Sequence, residues 1–192
     1  MEKNTLYPVF LKPSVLKILI IGGGFVALEK LTFLTKSSPD AHITLLAPMI
    51  RPKTRDLLFK FGGNYIQDAY KKKHLEGFHI VIAATDDPDV NLGVYTDCRA
   101  LDKLINVADN PPLCDFYMGG IVSKGQIKIG ISTNGKSPTL AKRLRQFFEE
   151  VLPEDIDLLA NNLKTYRDTL KGDFEAKVEK LNRATEELLR KS

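Results

Sequence analysis

The chain has 192 residues, of which 43% are hydrophobic, and 28 Lys and Arg against 24 Asp and Glu give a formal net charge of +4. That is enough for one α/β domain with a smaller appendage and a real core. No apolar stretch approaches the roughly 20 residues that span a bilayer, the start Met1-Glu-Lys-Asn-Thr-Leu-Tyr-Pro8 lacks a leader's apolar core, and no basic stripe interleaves with aromatics, so a cytoplasmic protein with no membrane or nucleic-acid partner is expected.

The first element is the run Lys17-Ile-Leu-Ile-Ile-Gly22-Gly23-Gly24-Phe25-Val26-Ala27, a buried-type strand ending in glycines with a helix straight after. Its pattern Gly22-x-Gly24-x-x-Ala27 is that of a dinucleotide-binding loop. Gly22 permits the tight turn, Gly24 lets backbone approach a pyrophosphate, and Ala27 lets the helix pack close. That helix carries Ala27, Leu28, Leu31 and Leu34 on one face, and its N-terminus offers N–H groups and partial positive charge to phosphates. The alternative is a structural glycine turn that binds nothing.

Ala41–Ala47 reads as the second strand. Many dinucleotide folds place a ribose-binding carboxylate near its end; here stand Ala47-Pro48-Met49, with Arg51 just beyond. Either backbone groups bind the ribose or Arg51 accepts a 2′-phosphate, and the sequence does not decide between NAD and NADP. A helical stretch with Leu57, Leu58 and Phe61 facing inward follows, stopped by Gly62-Gly63, then a short strand at 64–66 and a solvated turn at Lys71-Lys72-Lys73. His79–Ala84 is a buried strand, followed by Thr85-Asp86-Asp87, a helix with Val90, Val94 and Cys98, and a strand at Leu104–Ala108. This alternation predicts a parallel sheet with helices on both faces.

Beyond Pro111-Pro112 the pattern changes. Phe116–Ile131 reads as a hairpin turning at Ser123-Lys124-Gly125. A polar loop from Thr133 leads to a helix with Ser137 as N-cap, Pro138 at its first position, and a stripe of Leu140, Leu144, Phe147 and Val151. Pro153 ends it. Ile156, Leu159, Leu163, Tyr166 and Leu170 mark another helix, Gly172-Asp173 a break, and Phe174, Val178, Leu181 and Leu188 a last one, together a packed cap or a dimer arm.

Ligands of such sheets bind at the carboxyl ends of the strands, where the loops Gly22–Val26, Ala84–Asp87 and Ala108–Pro112 lie. Asp109 follows a buried strand directly. It is either a general base, worth about 10²–10⁴ in rate, or the start of an Asx turn. Asp86 and Asp87 read first as turn and helix-capping residues. The Thr133–Pro138 loop is a candidate anion site, with Lys136, Lys142, Arg143 and Arg145 beside it or simply on a solvated helix face. Cys98 and Cys114 read as reduced thiols without metal spacing, and His42, His74 and His79 stand apart.

Taken in order, Pro8-Val-Phe-Leu11, Ile20-Ile-Gly-Gly-Gly-Phe-Val-Ala27, Ala83-Ala-Thr-Asp-Asp87, Asn106-Val-Ala-Asp109 and Ser132-Thr-Asn-Gly-Lys-Ser-Pro138 with Ala141-Lys-Arg-Leu-Arg145 resemble the precorrin-2 dehydrogenase family, which includes the N-terminal module of siroheme synthase. The resemblance spans roughly residues 6 to 150. It implies NAD-dependent oxidation of precorrin-2 to sirohydrochlorin in siroheme (porphyrin-type tetrapyrrole) biosynthesis, and a homodimer with sites near the interface. The implied architecture is a Rossmann-type NAD-binding domain over 1–112, a small α+β dimerisation and substrate region over 113–152, and a helical C-terminal domain over 153–192. The family's key aspartate falls on Asp109, as base or substrate-orienting group, and its substrate-loop serine falls on Thr133. The candidate cofactor contacts are then Gly22, Gly24, Phe25, Val26, Ala47, Pro48, Met49, Thr85, Asp86 and Val107, and the candidate substrate contacts Thr133, Asn134 and Lys136. The family tolerates a missing ribose carboxylate, which favours NAD. Some members also insert iron into sirohydrochlorin; no metal constellation stands out, so a ferrochelatase activity stays open. The rival readings are a non-catalytic NAD-binding regulatory module and a dehydrogenase of another anionic substrate.

Overall fold

The computed structural model describes residues 4–186, so the first three residues and the predicted Leu188 lie outside the described residues. Parallel strands β1 (Lys17–Ile21), β2 (His42–Leu46), β3 (Asn64–Ile66), β4 (Ile80–Ala83) and β5 (Leu104–Val107) form one sheet in the order β3-β2-β1-β4-β5. The strands are near-continuous apolar runs because the sheet is covered on both faces. Against one face pack α1 (Phe25–Ser37) and α2 (Pro52–Lys60), burying Ala27, Leu31 and Leu58 on Ile18, Ile20, Ile43 and Leu45. Against the other packs α3 (Pro88–Ala100), whose Val94 and Cys98 meet Leu19, Ile21, Val81 and Ile105. Each fully buried Leu or Ile contributes about 1.5–3 kcal/mol relative to exposure, so these two layers hold the sheet rigid beneath its carboxyl edge. In α2 Leu58 is fully buried, as is Thr54, whereas the predicted partners Leu57 and Phe61 are half-buried.

Strand order reverses between β1 and β4, which lie on either side of a topological switch point where such folds open a crevice. Beyond β5 the chain runs back along the edge. Asp115 accepts a hydrogen bond from Ile105 N at 3.1 Å and pairs with Arg99 at 2.7 Å, closing the edge strand against solvent.

The chain divides into two compact units: one runs to Gly119 and takes back Ser132–Ser137, the other holds Gly120–Ile131 and the chain from Pro138. In the second unit β6 (Gly120–Lys124) and β7 (Ile127–Ile131) pair antiparallel, with Lys124 opposite Ile127. The turn is therefore Gly125-Gln126 rather than the predicted Ser123-Lys124-Gly125. Gly125 has φ +52° and Gln126 no positive φ, a type II′ hairpin that needs glycine at its first central position. Asp157 pins this turn by accepting from Gln126 N at 2.7 Å, and it lies so close that a Cβ at Gly125 would sit 2.3 Å from its Cγ.

Helices α4 (Pro138–Val151), α5 (Ile156–Thr169) and α6 (Phe174–Ala184) complete the unit. Pro138 opens α4 as expected, and its stripe faces outward: Phe147 is 55% and Val151 50% exposed. The Asp173 carboxylate caps α6 by accepting from Ala176 N at 2.9 Å. Phe174, expected on the apolar stripe, is the first residue of α6 and is 81% exposed. Tyr166 is likewise exposed, whereas Leu159, Leu163, Val178 and Leu181 are half-buried.

Candidate functional site

The three glycines leave β1 and do different work. Gly22 has φ +127°, and a Cβ there would lie 2.3 Å from the carbonyl oxygen of Ala84 at the end of β4. Gly23 is closed off too: its Cβ would lie 2.1 Å from Met49 O, and its own carbonyl accepts from Arg51 N at 3.0 Å. At Gly24 a Cβ would meet nothing within 4 Å. The first two glycines thus let the loop pack on its neighbours, and the third leaves an open approach to backbone. Gly24 is also the N-cap of α1, with no side-chain cap and no acidic residue in the first turn. Those amides suit a pyrophosphate. Behind them Ala27 is fully buried, as the close helix–strand packing requires, with Val26 half-buried and Phe25 exposed beside it.

At the end of β2, Ala47 donates to Ile66 O at 3.2 Å and accepts from Tyr65 Oη at 3.0 Å. Its polar groups are thus occupied. Pro48 and Met49 are exposed, the latter 81%. The Arg51 guanidinium lies 3.8 Å above the Phe25 ring centroid, a cation–π stack at the mouth of the glycine loop.

After β4 the backbone of Thr85 is held by Asn91, a buried residue of α3. Asn91 Nδ2 donates to Thr85 O at 3.0 Å, and Oδ1 accepts from Thr85 Oγ1 at 2.8 Å and Thr85 N at 3.3 Å. Asp87 is the N-cap of α3, accepting from Asp89 N and Val90 N, so the capping reading holds for it. Asp86 stands exposed in the same loop.

Asp109 sits one residue past Ala108 at the end of β5. It is exposed, has φ +58°, and its carboxylate makes no hydrogen bond or ion pair with the described residues, so the Asx-turn alternative has no support. Asp tolerates the left-handed region better than most residues, and Asp102 adopts it in an ordinary turn at φ +51°, so the conformation alone marks nothing. What distinguishes Asp109 is its bracing. Cys114 Sγ lies 3.3 Å from Val107 N, 3.2 Å from Val107 O and 3.3 Å from Asn110 O. Asn106, buried in β5, donates to Phe116 O at 2.8 Å. Burial pushes the Cys114 thiol's pKa up, which keeps it a neutral donor. Val107 itself is buried, its backbone engaged by Cys114.

The register pairs Ile21 with Ala83 and Ala83 with Val107. The loops carrying Gly22, Thr85 and Asp109 therefore leave three adjacent strands side by side, with β1 and β5 about 10 Å apart. In the Thr133 loop the described bonds of Thr133 and Asn134 are local: Thr133 Oγ1 accepts from Ser137 N at 3.2 Å and Asn134 N donates to Ser132 Oγ at 3.1 Å. Lys136 N closes the turn onto Thr133 O at 3.0 Å. Two of the three histidines are built into structure: His79 Nδ1 accepts from Lys17 N, and His74 Nδ1 from Lys71 N. Among the described residues no group of three His, Cys, Asp or Glu side chains could hold a metal ion, and no helix is long and apolar enough to cross a membrane.

Asn91, Asn106 and Cys114 support the site without any signal in the sequence. Gly23 carries one, as the middle of a glycine triplet.

Residues 9–120 match the family described as putative NAD(P)-binding, and residues 124–150 the one described as sirohaem biosynthesis protein central. A siroheme synthase of Psychrobacter sp. (strain PRwf-1) is 42% identical over 166 residues, covering 86% of this chain and 34% of that protein. One from Psychrobacter arcticus is 40% identical over 172 residues, covering 90% of this chain and 30% of that protein. The chain spans about a third of the length of these curated relatives. The solved structure of SirC, precorrin-2 dehydrogenase, shares the fold at a TM-score of 0.74 and 22% identity, covering 93% of this chain and 88% of that one. These likenesses agree with the resemblance read from the sequence. With more than half its residues in the match, the chain belongs to the putative NAD(P)-binding family, and its curated relatives here are siroheme synthases.

Proposed function

We propose that the chain oxidises precorrin-2 to sirohydrochlorin with NAD as hydride acceptor. The observation that carries this reading is the glycine loop, the Thr85 loop and the unpaired carboxylate of Asp109 side by side at the switch point of the sheet. Gly22, Gly24, Phe25 and Val26 hold the pyrophosphate end; Pro48 and Met49 flank the adenosine; Thr85, Asp86 and the end of β5 at Val107 line the path to the nicotinamide. The bound dinucleotide supplies the acceptor for hydride. Asp109 takes the proton lost as the hydride leaves or orients the substrate for that loss, and two electrons and two protons leave the macrocycle as hydride and H⁺. Its exposed position costs little desolvation, and its braced turn fixes where the carboxylate stands. Thr133, Asn134 and Lys136 form the proposed contact to substrate carboxylates.

The relatives and the fold support this reading. A homodimer in the cytoplasm is part of it. The exposed apolar residues Tyr7, Val9 and Phe10 of the N-terminal segment and Phe147 and Val151 of α4 offer surface for a second copy, with 113–152 as the dimerisation region and 153–192 as the helical domain.

The test is anaerobic incubation of the protein with fresh precorrin-2 and NAD, following reduced nicotinamide and the macrocycle spectrum together. Matched appearance of NADH and sirohydrochlorin is expected. No change in folded protein sinks the dehydrogenase and leaves a nucleotide-binding module. Adding ferrous iron after completion reads insertion of metal into the product.

A further inference from the structure

We propose that Arg51 receives the phosphate on the adenosine ribose of NADP, so that the site accepts the 2′-phosphorylated dinucleotide alongside NAD. The inference rests on the dinucleotide reading above and concerns its adenosine end. Two features of the β2–α2 connection carry it. The carboxylate that would repel a ribose phosphate is missing: Ala47, Pro48 and Met49 end the strand, and the first turn of α2 holds no acidic residue. A cation stands in its place and is already positioned. Arg51 N donates to Gly23 O at 3.0 Å, tying its backbone to the phosphate loop, and its guanidinium stacks on Phe25, the first residue of α1, at 3.8 Å from the ring centroid.

The ring contact holds the guanidinium through its central carbon at 3.8 Å and leaves its N–H groups unspent. Those N–H groups make no ion pair or hydrogen bond with the described residues. An always-charged fork with its rotamer held by an aromatic ring is suited to phosphate, since less freedom remains to be lost on binding. Specificity for NAD over NADP needs an element that opposes the extra phosphate, and here the local charge favours it.

The experiment is isothermal titration with adenosine 5′-monophosphate, adenosine 2′,5′-bisphosphate and the 3′,5′ isomer, which read the site without any turnover. The 2′,5′ compound is expected to bind about tenfold tighter than the monophosphate, the value of one charge-assisted contact, and tighter than its 3′,5′ isomer. Arg51→Ala should bring it down to the affinity of the monophosphate, Arg51→Lys should keep part of the advantage, and Phe25→Leu should reduce it by freeing the guanidinium. Equal affinity of the three compounds, or an advantage that survives Arg51→Ala, overturns the assignment while leaving the dinucleotide site standing. Failure of every compound to bind folded protein removes the dinucleotide site itself, and this inference with it.

Discussion

Asn91 grips the peptide of Thr85 from both sides, donating to its carbonyl at 3.0 Å and accepting from its amide at 3.3 Å. A buried side chain of α3 thus stands in for a pairing partner where β4 ends and the chain turns towards the crevice. The loop between Ala84 and Asp87 holds its shape through this amide group, the Asp87 cap and the Thr85 hydroxyl, which lies 3.0 Å from Asp87 O and accepts from Asp87 N at 3.2 Å.

Asn91→Ala therefore orphans a backbone N–H and C=O at once. It should cost about 1–3 kcal/mol in urea unfolding and weaken NAD binding as the Thr85 loop loosens. A variant with wild-type stability and affinity shows instead that the Asp87 cap and the Thr85 hydroxyl suffice to hold the loop.

The glycine triplet separates folding from binding. Gly22→Ala forces a side chain into a φ +127° backbone 2.3 Å from Ala84 O and should destabilise by about 2 kcal/mol or more. Gly24→Ala enters open space from an ordinary φ of −87°. It should leave the melting temperature of the free protein unchanged while weakening NAD, because the methyl occupies the backbone approach. Comparable losses of stability in both would remove the distinction.

Much of this was legible in the sequence, for identifiable reasons. Buried parallel strands are apolar end to end, so Lys17–Ile21 and Ile80–Ala83 announce themselves, and the glycine loop follows a fixed local pattern. The sequence pattern places the hairpin turn too early because Ser123-Lys124-Gly125 has no apolar residue, whereas Lys124 already pairs with Ile127. The deciding fact is the positive φ of Gly125 at the first turn position, together with the clasp of Asp157 from α5. The supports of the site were invisible for a related reason. Asn91 reaches back six residues to Thr85, and Asn106 reaches ten onward to Phe116. Neither periodicity nor propensity encodes such contacts, and a buried Asn inside a helix or strand reads as noise until its partner is seen.

Cys98 gives an alkaline signature. Burial among Val94, Ile105 and Leu19 pushes its thiol up to about 12 from 9.0. The folded state holds that proton where the unfolded chain releases it, so stability is full below pH 9 and declines as pH rises from 9 towards 12. Thermal melts across that range should fall more steeply in wild type than in Cys98→Ala, after each is referenced to its own value at pH 8. Parallel slopes would place the alkaline loss on other groups.

Asp109 is the sharpest test of the chemistry. Its backbone is left-handed at φ +58°, so replacement by Ala strains the turn as well as removing the charge. Asn tolerates the same conformation and preserves shape. Asp109→Asn should therefore keep the wild-type melting temperature and NAD affinity while precorrin-2 oxidation falls by about 10²–10⁴ if the carboxylate takes a proton. If Asp109 only orients the substrate, the loss should appear mainly in KM, because an amide still offers a hydrogen-bonding group at the same place. Turnover unchanged in both Asp109→Asn and Asp109→Ala takes this residue out of the mechanism and returns the search for a proton acceptor to Asp86, in the loop after the neighbouring strand β4.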